Sequence, residues 1–478
     1  MSNFLNKLLI IIWFGYILIC LFNLEYVDFS RYNIQLDGVT IFCVIIVLIT
    51  CFFYFKVENK SLTLLTPDKV FIVFYVLMIY PGVVLLAEGD ERQSIVVSQS
   101  LSIIIFILTV FFIKSFNHLY KYNLSLTIIK KHELANCEHK KITRFSVFCA
   151  ILLIVFYIFS GNFNRSEALL GLVGLFLEYN TDSLTSVNSY RSEIYESVGF
   201  IVVLGNYISV IILPILGSFL VIEGNKCDNK FLKNFGFFVV FVAFIFNIGT
   251  GSRLLTMKII LYFTILFSFL NKINIKLLFK ASFIVFVILI TTTFILGRGN
   301  KVKEGFGPIV AQNSERAFSR LFLVKGASSL IVYDYYPKKE NFEYGSTIYN
   351  SLLGNSDFKR QTIANKMFSY VTGGKKGTAG PQTFADFYAN FGYSGQIIGS
   401  FFLAIILSFF VALIFKKKRF KSFDLAFVGY ITLLIGYMGY SEFLSFKVGG
   451  LHVVLFLYFG YSIINAILNF KKRRYAKE

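Results

Sequence analysis

Charged side chains are scarce in this chain. Asp, Glu, Lys and Arg make up 15% of its 478 residues, against about 25% in a soluble globular protein. The hydrophobic share is 56% and the aromatic share 18%, with a mean hydropathy of +0.67. Too little polar surface remains to clothe a set of soluble domains, and disorder is excluded on the same ground. Histidine numbers four and cysteine six. Cys20, Cys43, Cys51 and Cys149 lie in apolar stretches, and Cys137 and Cys227 lie in basic loops. That placement excludes a disulfide framework and a CxxC metal pattern. No His/Cys/Asp cluster has metal-ligand spacing, so neither metal nor cofactor is expected. No repeat of fixed period occurs.

What the chain has instead is long apolar runs and an excess of positive charge. A membrane-spanning helix needs about 20 mostly apolar residues. Twelve such stretches are legible, at 4–24, 37–56, 69–88, 96–115, 144–160, 199–222, 235–250, 253–270, 280–298, 394–415, 425–441 and 450–470. The first is too long for a signal-peptide core and reads as a retained helix. The expectation is an all-α, polytopic integral membrane protein, a single transmembrane domain over 1–478.

The net charge is +20. In a soluble protein that would suggest nucleic acid. Here it sorts by side. With both termini placed in the cytoplasm, the inner segments carry 27 Lys/Arg and 8 Asp/Glu, whereas the outer segments carry 19 of each. This is the asymmetry of a positive-inside membrane protein, and no nucleic acid is needed to explain it.

Two outer loops are long, 161–198 and 298–383. The second far exceeds what a connection requires. It holds 13 Lys/Arg and 6 Asp/Glu, so it reverses the local sign of the outer face, as an anionic ligand would favour. A folded cap with ordinary surface lysines is the plainer alternative.

Several residues could carry chemistry. The turn Gly249-Thr250-Gly251-Ser252-Arg253 would place free N–H groups and a guanidinium at a helix start, a combination suited to phosphate. Lys258 lies deeper, where charge is costly and marks function by default; it could instead snorkel or pair with a carboxylate. Arg165 and Arg191 flank a short apolar run, 168–177, of re-entrant or interfacial length, although Arg191 could also bridge to Glu193 or Glu196. Arg298 opens the large loop. Arg316 and Arg320 share one helical face, on a helix that would lie along the membrane. The stretch Gly373-Gly374-Lys375-Lys376-Gly377-Thr378-Ala379-Gly380-Pro381 reads as a lid or as a linker, without P-loop spacing. Asp386, Glu442 and His452 are the outer-face groups able to act as a base; each has an equally ordinary structural reading.

The Thr250-Gly251-Ser252-Arg253 turn, the large outer loop and the run Phe384-Ala385-Asp386-Phe387-Tyr388-Ala389-Asn390-Phe391-Gly392 resemble Wzy-type O-antigen and capsule repeat-unit polymerases. The resemblance implies a GT-C-like architecture in the bacterial cytoplasmic membrane. It also implies transfer of a growing glycan from undecaprenyl pyrophosphate to a second lipid-linked repeat unit. Arg253 corresponds by motif. Arg165, Arg191, Arg298, Arg316, Arg320, Lys258 and Tyr388 follow as substrate contacts from position alone. Membrane lipids, a chain-length regulator and a flippase are the partners it implies. O-antigen ligases share the outline but use a histidine in the large loop, where this chain has none. A lipid-linked oligosaccharide flippase is the alternative from another class.

Overall fold

The computed structural model describes residues 37–57, 65–116, 140–159, 205, 207–249, 253–270, 323–353, 363–373, 380–416, 421–441, 443 and 450–475. Among them there is no strand. In chain order the helices are α1 Gly38–Val57, α2 Pro67–Leu86, α3 Arg92–Phe116, α4 Lys140–Phe159, α5 Ile208–Lys226, α6 Lys230–Gly249 and α7 Arg253–Leu270, followed by α8 Val324–Tyr335, α9 Ser346–Leu353, α10 Ile363–Thr372, α11 Thr383–Lys416, α12 Ser422–Gly436 and α13 Leu451–Tyr475. Six of them (α1, α2, α3, α5, α11 and α12 with its extension to Gly439) contain stretches long and apolar enough to cross a membrane. Shorter apolar segments lie in α4, α7 and α13. The chain is a helical membrane protein. The expected stretches at 4–24 and 280–298 fall outside the described residues, so the six spans are a count among the described residues alone.

The outward faces agree with that solvent. Ile41, Phe42, Ile45, Leu48, Ile49, Phe52 and Phe53 of α1 are exposed, as are Phe237, Phe238 and Phe241 of α6 and Phe401, Phe402 and Phe409 of α11. Apolar surface on this scale is stable only against other apolar material.

Hydropathy marks the membrane, not the helix. α4 begins at Lys140 instead of 144, and α6 begins at Lys230 instead of 235. The expected loop 223–234 is helical except for a short turn around Cys227–Asn229. Helical hydrogen bonding continues through the polar residues at the apolar boundary, where the hydropathy signal ends.

Two helices widen by one π turn, at Tyr75–Ile79 in α2 and at Ile208–Ile212 in α5. Each π turn directly precedes a proline, Pro81 or Pro214. A proline ring clashes with the preceding turn and lacks an N–H. A widened turn accommodates both without ending the helix.

Helix ends gather into two sets. At one end Arg92 Nη1 is paired with Asp37, while its Nη2 donates to Thr40 Oγ1 at 3.0 Å and its Nε to the Ala87 carbonyl at 2.9 Å. At the other end Lys114 Nζ lies 2.7 Å from Asp68 Oδ2 and 2.9 Å from Tyr54 Oη, and Tyr54 also donates to Asp68. The sequence reading puts Asp68, Lys69 and Lys114 among loop charges; in the fold all three are buried. They stand on the terminal turns of α2 and α3, which pack against each other, so they are not available to a surface.

The cap comprises α8, α9 and α10. It is fastened in three ways. Gly326 of α8 meets Gly82 of α2 so closely that an added Cβ would lie 2.5 Å from the Gly82 backbone. Tyr333 of α8 enters a buried polar chain: Tyr75 Oη donates to Gln99, Gln99 donates to Tyr333, Tyr333 Oη donates to Gln396 Oε1 at 2.7 Å, and Gln396 Nε2 donates to Ser102 Oγ at 3.0 Å. The third fastening is a break in α11. The reading of the sequence starts this helix at 394, but it starts at Thr383 and bends at Gly392, whose φ is 69°. The bend exposes carbonyls of the preceding turn. Glu343 N–H donates to the Ala389 carbonyl at 3.0 Å and Tyr344 N–H to the Asn390 carbonyl at 2.9 Å. Residues 383–390 are buried in protein rather than facing lipid, which is why they are too polar to look like part of a span.

Breaking a buried ion pair by removing one partner costs about 3–5 kcal/mol, whereas replacing both partners with apolar groups is often neutral. Asp68→Ala is therefore expected to lower thermal stability in detergent sharply, and Asp68→Ala combined with Lys114→Met to recover most of the loss. An unchanged melting curve for the single variant would show that the pair does not hold these helix ends.

Candidate functional site

The cap end brings together α7, α8, the start of α11 and the end of α12. Lys258 is half-buried on α7, about 7.5 Å below Arg253 at 1.5 Å per residue. Its Nζ lies 4.5 Å from the centre of the Tyr437 ring. Among the described residues, no carboxylate is within ion-pair reach of it. Tyr437 begins the short 3₁₀ turn Tyr437–Gly439 that ends α12. Its ring is 5.5 Å from that of Tyr440, and Lys325 Nζ of α8 lies 5.5 Å from the Tyr440 ring. Two ammonium groups from different helices thus face one pair of adjoining tyrosines. A cation over an aromatic face gains about 0.5–2 kcal/mol. Burying a cation within an apolar span costs at least about 2.5 kcal/mol, so the ring at Lys258 does not balance its charge.

The surrounding contacts hold this geometry. Thr383 Oγ1 donates to the Met438 carbonyl at 2.6 Å. Lys325 Nζ donates to the Gly380 carbonyl, which also receives Ser328 Oγ at 3.4 Å. The end of the glycine-rich stretch is thus tied to α8. Gly374 to Ala379 lie outside the described residues.

Asp386 is buried near the start of α11. Its Oδ2 accepts the Phe443 N–H at 3.1 Å, and its main-chain carbonyl accepts Asn390 Nδ2 at 2.8 Å. The expectation of a base at this position meets a carboxylate engaged in holding the chain after α12. Tyr388, expected at the substrate, is buried: its hydroxyl donates to the Tyr336 carbonyl at 3.1 Å and its ring lies 4.2 Å from that of Tyr333. It serves the docking of the cap. His452 is exposed on α13, with its ring edge-on to Tyr207 at 5.3 Å. Arg253 is the first residue of α7. Arg165, Arg191, Arg298, Arg316, Arg320 and Glu442 lie outside the described residues.

Two lysines of the basic loop are committed internally. Lys338 pairs with Glu91 at 3.2 Å, and Lys366 pairs with both Glu340 and Glu343 at 2.6 Å. Burial pushes the Glu343 carboxyl up, but donors from Lys366, Ser346 and Tyr336 outweigh it and hold it below the usual carboxylate range. Burial pushes Lys366 down, and hydrogen bonds to Glu340 and Glu343 reverse this and raise it. Burial pushes the Asp334 carboxyl up despite Lys338 nearby, and the charges of Glu91 and Glu88 add to the rise.

Sequence reasoning singled out Lys258 from its depth alone. It missed Tyr437, Tyr440 and Lys325, because these become neighbours only when α8 folds back beside the end of α12. No protein-family model, curated protein or solved structure matches the chain.

The cap's ion-pair cluster has a defined pH window. A lowered carboxylate stabilises above its ordinary value, about 4.3, and loses that contribution as pH falls through its folded value. A raised lysine stabilises below about 10.4 and loses its contribution as pH rises through its folded value. Hydrogen exchange in α8–α10, corrected for intrinsic rate, is expected to stay slow from about pH 5 to 9 and to quicken below about pH 4. Glu343→Gln should flatten the acid limb. Loss of protection already near pH 6 would show that another group governs the cap.

Proposed function

We propose that the chain is a Wzy-type polymerase that joins lipid-pyrophosphate-linked oligosaccharide repeat units into O-antigen or capsular polysaccharide at its cap end. The basic loops at the other end support a reading in which the cap end lies outside the bacterial cytoplasmic membrane. The observation that carries this reading is Lys258: an ammonium in an apolar helix, without a carboxylate among the described residues, below a helix start that bears Arg253. An anion there is favoured by the lysine, by the arginine and by the positive end of α7. The lipid diphosphate is such an anion, and it reaches the site from the bilayer.

In the reaction, an acceptor sugar hydroxyl attacks the anomeric carbon of the donor glycan. The bond from that carbon to the pyrophosphate oxygen breaks, and the electron pair leaves with the diphosphate. The hydroxyl proton passes to a base, for which Asp386, Glu442 and His452 are the candidates. Negative charge grows on the leaving group, so cations fixed beside it stabilise the transition state more than the ground state. Lys258, Arg253 and, from the cap, Lys325 suit that task. Arg191, Arg298, Arg316 and Arg320 would add guanidinium forks from the long loops. Lipid-linked glycans are the substrates under this reading, with a flippase supplying them and a chain-length regulator as further partner. A ligase reading lacks the loop histidine. A flippase reading is not favoured, because the buried ion pair Lys114–Asp68 stands at helix ends and not at the middle of a span.

Cells lacking the protein are expected to display single repeat units instead of a ladder. Removing one such donor costs about 2.7–4 kcal/mol, or a rate loss of about 100-fold or more. Lys258→Met should therefore abolish the ladder at normal protein level, and Lys258→Arg should restore part of it. A full-length ladder from Lys258→Met would remove this lysine from the site. A deletion strain with no surface repeat at all would point to a flippase, and polymer left on the lipid carrier to a ligase.

A further inference from the structure

We infer that the outer surface of the cap is a binding face for a neutral glycan chain, built on Tyr344, Tyr349 and Tyr370; this inference rests on the polymerase reading above. The starting observation is a segregation of side chains. Among the described residues, the large apolar residues exposed on the spans are Phe, Leu, Ile and Val, whereas the exposed tyrosines are Tyr344, Tyr349 and Tyr370, at 73%, 58% and 44%, all in the cap, with Val371 exposed beside Tyr370. Phenylalanine suits a lipid-facing wall. A ring with a hydroxyl suits a surface that is wet at the rim and apolar on the face.

The backbone presents these rings deliberately. Tyr344 has a φ of 46°, one of two positive values at non-glycine residues among those described. A non-glycine residue seldom adopts this region and persists there only where its surroundings impose it. Here its N–H is held by the Asn390 carbonyl at the α11 bend. Gly345 follows, its N–H on Asn390 Oδ1 at 3.1 Å, and Thr347 Oγ1 donates to the same oxygen at 2.9 Å. The fold spends strain and three hydrogen bonds on the segment that carries the most exposed ring.

Polar groups neighbour these rings in the chain. Tyr370 packs edge-on to Tyr335 at 5.2 Å, and Lys366 stands one helical turn before it on α10. Lys366 bridges Glu340 and Glu343, and Glu343 also accepts Ser346 Oγ at 2.7 Å. A pyranose offers a C–H face for an aromatic ring and a rim of hydroxyls for carboxylates, ammonium and hydroxyl groups. This cluster supplies both. Its two carboxylates to one ammonium disfavour an anionic lipid headgroup, and the scattering of polar groups among the rings disfavours the dry centre of a protein interface. The expected role is to hold the growing chain between successive additions.

The test compares surface glycan from cells producing the full-length chain, its Tyr344→Ala/Tyr349→Ala/Tyr370→Ala variant, the corresponding triple Phe variant, and from cells lacking the gene. The alanine variant should shorten the modal chain at least twofold while keeping the first linkages, and the Phe variant should keep near-normal length, because the ring faces remain. A normal ladder from the alanine variant, or equal shortening by the Phe variant, overturns the inference. In parallel, oligomers cut from the wild-type polysaccharide are added to the wild-type protein in lipid nanodiscs. Slower hydrogen exchange at 344–349 and 363–372 supports the face, and no change overturns it. Loss of the alanine variant from the membrane without glycan-dependent protection would make the tyrosines a membrane-interface anchor instead. A deletion strain that retains its ladder fails the polymerase reading, whereas the exchange measurement still decides the face.

Discussion

A helix that bends where it is buried in protein uncovers carbonyls that water cannot reach, and each must find a donor from elsewhere in the protein. The bend of α11 at Gly392 sets this requirement, and the cap meets it. The N–H groups of Glu343 and Tyr344 take the carbonyls of Ala389 and Asn390, and the Asn390 side chain accepts from Gly345 and Thr347. The bend therefore fixes where the cap sits. α8 adds Tyr333 to the chain of Gln99 and Gln396, and Gly326 removes the side chain that would hold α8 away from Gly82. Directional bonds locate the cap to a single register, which apolar contact alone would not do. The geometry around Tyr437 and Tyr440 inherits its definition from this register.

Charge inside the slab is treated in two different ways. At the end opposite the cap, Asp68, Lys114 and Tyr54 satisfy one another at 2.7–2.9 Å between Lys114 and its partners. Such a pair costs desolvation and returns part of it through mutual attraction, all of it at Asp68 Oδ2, while Oδ1 is buried without a hydrogen-bond partner. Lys258 is the opposite case. It has a tyrosine ring in place of a carboxylate, and a ring returns less than an anion would. At such a position an anion would gain more than it would in water.

The membrane class, the helices and their approximate limits were legible because apolar run length answers to bilayer thickness, a constraint local in sequence. The cap was legible only as a long, basic and aromatic insertion. Its docking was not, because the donors at 343–347 and the acceptors at 389–390 are remote in sequence and neither end carries a pattern of its own. Helix ends were misplaced where polar residues continued a helix past the apolar boundary, as at Lys140 and Lys230, or preceded a bend, as at Thr383. For the site, depth alone marked Lys258. The Tyr-Ala-Asn-Phe-Gly run drew attention for its resemblance to a family; in the fold its tyrosine, asparagine and glycine all serve the bend.

That outcome bears on how the basic loop should be understood. Its positive excess first suggested a diffuse attraction for an anion. In the fold, Lys338 and Lys366 are spent on Glu91, Glu340 and Glu343, so their charge builds the cap rather than a field above it. Lys325 differs in position, lying over Tyr440 beside the ring that faces Lys258. Net charge counted over the loop therefore overstates what is free to meet a ligand, and the few cations that converge on one place matter more than the total. Of the three exposed cap tyrosines, Tyr344 sits in the segment bonded to the α11 bend, whereas Tyr370 stands on α10.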